Sequence, residues 1–134
     1  MRRLVSGLAI AVLVSILAAG CQPVRDPARV ALAVRGARVV DDGAGATVRV
    51  RARCLEGLEV LEAFVTISQD GVSSDMAPIS LHCDGTLQRS VPRVDALDGA
   101  YTPGEAQASA FVLVMEPESS ETHQAQDTEV VVLR

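Results

Sequence analysis

The sequence predicts an all-β fold, a two-sheet sandwich of about seven short strands. Three observations carry this. Apolar and polar residues alternate with period two in segment after segment, turn-forming residues punctuate the chain at similar intervals, and after the first twenty residues no stretch has the periodicity of an amphipathic helix.

The segments follow in chain order. Val30, Leu32 and Val34 alternate up to a break at Gly36, and residues 38–40 continue that strand to the turn-like "DDGAG". The clearest run is "GATVRVRARC": Ala46, Val48, Val50, Ala52 and Cys54 form an inward face, and Thr47, Arg49, Arg51 and Arg53 an outward one. An arginine row of this kind ordinarily meets carboxylates across the strands or faces solvent, and its other use is to bind an anion. Ala63, Val65 and Ile67 alternate next and close at Asp70-Gly71, a strong hairpin signal. Ile79, Leu81 and Cys83 make a fourth strand that ends at Asp84-Gly85, a second such signal. Leu87 and Val91 lead to Pro92, which marks an edge or a strand end. Ala106, Ala108, Ala110, Val112 and Val114 form a long inward face, and "TEVVVLR" closes the chain. Seven strands in about a hundred residues favour immunoglobulin-like architecture, with a small barrel as the runner-up.

Composition bounds the rest. The chain has 134 residues, room for one domain. Its aromatic residues are Phe64, Phe111 and Tyr101, with no Trp, so the core is aliphatic and gains from a cross-link. All twelve basic residues are Arg, a usage that resembles proteins from high-GC bacterial genomes such as those of actinobacteria.

The first twenty residues have the layout of a secretory signal: Arg2 and Arg3, then the apolar "LVSGLAIAVLVSILAAG". The run ends in "LAAGC", which resembles the lipobox of bacterial lipoproteins, with Leu17 one step further from the cysteine than is usual and Ala18 in its place. The resemblance implies cleavage before Cys21 and a diacylglyceryl group on its thiol. An ordinary signal cleaved near Ala19 or Gly20, leaving a free thiol, and an uncleaved membrane anchor are the competing readings of the layout. Two or three acyl chains make an anchor effectively permanent, where one is marginal. The expected organisation is a signal peptide over 1–20, a lipidated tether over 21–27 and a β-sandwich over 28–134.

Loss of Arg2 and Arg3 leaves ten arginines against 17 acidic residues, a formal charge of −7. An acidic surface argues against nucleic acid and against electrostatic adhesion to anionic lipid, so membrane attachment is expected to be hydrophobic or covalent. In an oxidising compartment Cys54 and Cys83, both on inward faces, are expected to pair across the core. The mature part also resembles small exported actinobacterial β-sandwich proteins of unknown function, through an early strand ending in Cys, a later "CDGT" and a "PGEA" before an Ala-rich strand. That likeness implies no activity.

Reactive groupings are sparse. His82 and His123 lack the spacing of a metal site, and His82 is expected to point outward. Residues 116–127, "EPESSETHQAQD", read as a long exposed loop between the last two strands, whose Glu116, Glu118 and Glu121 are a weak calcium set. Ser119 and Ser120 lie near His123 without the glycine elbow that would hold a nucleophile. No metal, cofactor or catalytic residue is therefore assigned. Tyr101 is a candidate partner contact with Phe111, or else a core lid whose hydroxyl bonds backbone, as in the tyrosine corner of sandwiches. The functional expectation is a non-catalytic binding or envelope-structural module on the outer face of a bacterial membrane. The alternatives are a phage- or host-encoded lipoprotein that blocks an envelope receptor and a metal or small-ligand carrier at the acidic loop.

Overall fold

The computed structural model describes residues 29–134. The signal segment, Cys21 and the tether lie outside the described residues. Nine strands form two antiparallel sheets. In sheet A, β1 (Val30–Val40) pairs with β2 (Gly45–Cys54), whose other side pairs with two short pieces, β6 (Leu87–Ser90) and β7 (Arg93–Asp95). In sheet B, β3 (Glu59–Gln69) pairs with β8 (Gly104–Met115) and β8 with β9 (Thr122–Leu133), while β4 (Val72–Ser73) and β5 (Ala77–Pro78) line the free side of β3. The second strand joins the first and the fifth position, and the third joins the fourth and the sixth. This is the pairing order of immunoglobulin-like sandwiches.

The predicted inward faces are the core. Val48, Val50, Val65, Ile67, Val112 and Val114 are fully buried, and the small Ala106, Ala108 and Ala110 let the sheets approach closely. Asp70 and Gly71, both at positive φ, make the tight β3–β4 hairpin that Asp-Gly signals. At Pro92, which has no N–H to give a ladder, the outer strand of sheet A breaks into β6 and β7.

Several expectations need correction. Val30, Leu32 and Val34 face inward, but beyond Gly36 the inward residues are Ala37 and Val39, because a β-bulge makes Arg35 an extra residue between Val34↔Val50 and Gly36↔Arg49. Residues 79–83 keep their alternation, with Ile79 and Leu81 buried, yet carry no ladder, because this segment crosses from sheet B to sheet A. Asp84-Gly85 is accordingly a turn and no hairpin: Asp84 accepts from the Thr86 amide and hydroxyl, and the Gln88 side chain replaces a strand partner by bonding both the N–H and the C=O of His82. The expected long loop over 116–127 is short. Glu116 and Glu121 close a turn through backbone hydrogen bonds, and β9 already begins at Thr122.

The sheets also approach each other along both edges, through a Ser74↔Ala96 bridge on one side and a hydrogen bond from the Val39 amide to the Arg134 carbonyl on the other. At that second edge β9 turns polar residues toward β1, and the Asp127 carboxylate accepts the Val34 amide at 2.8 Å. An edge strand that would otherwise offer a bare amide is satisfied by an inward-pointing charge.

Cys54 and Cys83 form a disulfide with Cα atoms 4.5 Å apart. It ties the end of β2 to the crossing segment, at one end of the sandwich, beside a smaller cluster of Val30, Leu81, Val112 and Val114. On the chain-entropy account, closing this 29-residue separation stabilises the fold by roughly 3.5 kcal/mol.

Candidate anion-binding face

Strand register assembles a surface that the linear sequence does not display. Arg49, Arg51 and Arg53 occupy alternate positions of β2 and so project from the outer face of sheet A. On one side, Arg51 faces Arg89 and Arg53 faces Leu87. On the other, their partners are Gly36, Ala33 and Ala31. No carboxylate stands opposite any of them, so the expected cross-strand pairs are absent here, while the expected solvent-facing position of the row holds. The bulge adds Arg35, and Arg38 follows opposite Thr47.

The contrast within the arginine set is sharp. Arg93, at the far end of the same face, is paired with both Asp41 and Asp95, and these contacts hold its guanidinium still more firmly in the charged form. Arg29 contacts Glu116. Among the described residues Arg35, Arg38, Arg49, Arg51, Arg53 and Arg89 show no carboxylate partner; Arg53 donates from Nε to the Gly85 carbonyl at 3.0 Å. A chain of negative net charge thus carries one continuous positive face, because its acidic residues sit in turns, at strand ends and on sheet B. The net value argued about an average that the fold does not realise at this surface.

Local geometry gives the face relief. A Cβ on Gly36 would stand 2.6 Å from an Nη atom of Arg49, so glycine there is what allows that guanidinium to lie across the strand backbone. An open groove of about 710 Å³ runs from this point toward β9, between Arg35, Arg38 and Arg49 on one wall and Glu129 and Val132 on the other. A second, of about 140 Å³, lies between Arg35, Arg49, Arg51 and Arg89 with Val91 at its rim. Leu87 and Val91, each 60% exposed, are the large exposed apolar side chains on the sheet A side, and Val130 and Val132 are exposed on the β9 side of the first groove. Guanidinium groups fixed on alternate strand positions recur about every 6.6 Å, and each presents a planar fork suited to phosphate or carboxylate oxygens.

The other candidates separate clearly. Tyr101 is 2% exposed, its hydroxyl donates to the Ile67 carbonyl at 3.3 Å, and burial raises its pKa. It is a core residue, bonded across to β3 and not to nearby upstream backbone as in a tyrosine corner, so it offers no partner surface. Phe111 lies half-buried on the outer face of sheet B, tilted against Phe64 with centroids 5.4 Å apart. His82 is exposed. Glu116, Glu121 and His123 do come together, with ligand atoms within 4.8 Å of one another, whereas Glu118 is not part of the group. The Arg29 guanidinium meets two of them, 3.1 Å from His123 Nε2 and in contact with Glu116. A protein cation therefore already pairs with one carboxylate of the group. Ser119 donates to Glu116.

Sequence reasoning found three of the six arginines. Arg35, Arg38 and Arg89 join only through register and the bulge, and the sole signal for Arg89 was an arginine inside a run leading to a strand-ending proline. No protein-family model matches the chain, and neither curated proteins nor solved structures give a significant match.

Proposed function

We propose that this chain is an exported, lipid-anchored, non-catalytic binding module of the outer face of a bacterial cell membrane, and that its working surface is the arginine face of sheet A. The observation that carries this is the set of six arginines on one sheet face with no carboxylate partner. Like charges directly opposite, as at Arg51 and Arg89, cost stability in a sheet, and a small domain gains nothing structural from keeping them. An anionic ligand would convert that cost into affinity.

The anchor rests on the lipobox resemblance at Cys21, and the disulfide supports an oxidising destination. A receptor-blocking role would use the outer face of sheet B, where Phe64 and Phe111 already cover each other and Ser109 bonds Thr128 at 2.9 Å. That face carries carboxylates without arginines, and its aromatic and hydroxyl groups already bond one another, so the arginine face is preferred.

Intact-mass analysis of the chain extracted from a lipoprotein-competent bacterium tests the anchor. The expected product begins at Cys21, carries two or three acyl chains, and gains two alkyl groups only after reduction. An unacylated product with a free Cys21 thiol contradicts it.

A further inference from the structure

We infer that the anion is the phosphate-bearing headgroup surface of the membrane that holds the anchor, and that the domain lies on its side with sheet A against the lipid. The inference deepens the proposal above and rests on it for the tether. Eight residue steps separate Cys21 from Arg29, a reach of at most about 29 Å, no more than the length of β2. The domain is thus held within its own dimensions of the lipid.

The chain enters the fold at Arg29, whose carbonyl accepts the Leu55 amide beside the start of β1. The end of the sandwich at this entry is acidic: Glu56, Glu59, Glu118 and Glu121 are exposed there. Standing on that end would press carboxylates against lipid phosphates. The outer face of sheet B carries Glu59, Glu62 and Glu105 and no arginine. Sheet A alone complements an anionic surface. Arg53 and Leu87 stand at its end nearest the tether, and Arg51, Arg89, Arg49 and Arg35 follow along it.

The exposed apolar side chains point to lipid over a soluble polyanion. Leu87 and Val91 project among the guanidinium groups, a combination that suits the boundary between headgroups and acyl chains and has no use against a fully hydrated polymer. Each arginine near an anionic surface contributes about fivefold in affinity, so the face orients a domain that the anchor already retains.

The test uses the absence of Trp from the chain. Full chain carrying Leu87→Trp, purified from membranes, is reconstituted into phosphatidylcholine vesicles with or without roughly one-third phosphatidylglycerol, an anionic lipid of the class that attracts basic surfaces. A matched sample carries Gln126→Trp on the outer face of sheet B. The expected result is a blue-shifted emission, quenched by brominated lipid, for Leu87→Trp in anionic vesicles only, and no shift for Gln126→Trp. High salt, or Arg51→Gln with Arg89→Gln, reverses it, the double change weakening the contact about 25-fold. An unshifted Leu87→Trp in anionic vesicles overturns the inference, as does an equal shift in neutral ones or a shift produced by soluble polyphosphate but not by vesicles. The mass of the same samples separates the two ideas. Acylated chain with no shift leaves the anchor standing and removes the docking face, whereas unacylated chain with the shift does the reverse. Circular dichroism of each variant establishes that it is folded.

Discussion

Two polar regions of this molecule are built on opposite terms. At the end of the sandwich away from Arg29, the loop entering β8 is held by groups that find partners. Buried Gln69 donates to the Thr102 and Glu105 carbonyls and accepts the Thr102 amide, and the Asp98 carboxylate accepts the Ser73 amide. Along sheet A, six arginines lack a carboxylate partner among the described residues, and of these Arg53 alone makes a side-chain hydrogen bond, to the Gly85 carbonyl. Burying polar groups demands partners, whereas an exposed guanidinium bears its lack of a carboxylate at small cost. The first region explains how the domain stays folded. The second contributes little to folding and is the surface on which the proposed ligand binding rests.

That contrast breaks first at the scaffold. Replacing Cys54 and Cys83 together by Ser removes roughly 3.5 kcal/mol, read as a lower urea midpoint, while leaving the arginine face chemically intact. Next in size is Gln69→Leu, which strands the Thr102 amide and is expected to cost about 2 kcal/mol by the same measurement. On the arginine face the sign reverses: Arg51→Glu, opposite Arg89, should stabilise the free domain by about 0.5 kcal/mol while weakening its binding to anionic vesicles. A clear loss of stability there would make the row structural.

The smallest effect is a matter of pH. Glu129 has its pKa raised above the usual 4.5, chiefly by its hydrogen bond and charge interaction with Asp127. A carboxyl with a raised folded-state pKa stabilises the fold at acid pH, and that contribution fades as pH rises through the folded value. Glu129→Gln should therefore flatten this descending part of the stability profile just above the ordinary carboxylate range. Asp84 acts the other way. Hydrogen bonds from Thr86 lower its pKa, so its contribution is present at neutral pH and is lost as pH falls below the ordinary range. Urea midpoints across the acid range separate the two.

The sandwich was legible because its interior strands alternate cleanly: β2 and β8 are each buried on one face, and that writes period two into the chain. β9 was half hidden for the converse reason. As an edge strand it turns His123 and Asp127 toward β1 and Gln124 and Gln126 outward, so its first half is polar on both faces and resembles a loop. The bulge at Arg35 was hidden because an extra residue simply resets the phase. Half of the arginine face was hidden too, since the neighbour of Arg51 is fixed by register with β6, about forty residues further along, and nothing local announces it.

The most direct test of the central claim leaves the protein unaltered. Arginine modification by phenylglyoxal, located by peptide mass, is compared between the chain in native membranes and the chain in neutral detergent. Occupation of the face predicts that Arg49, Arg51, Arg53 and Arg89 are protected in membranes and released by high salt, while Arg93, already held by Asp41 and Asp95, reacts alike in both. Equal modification of all five in membranes and detergent would contradict it.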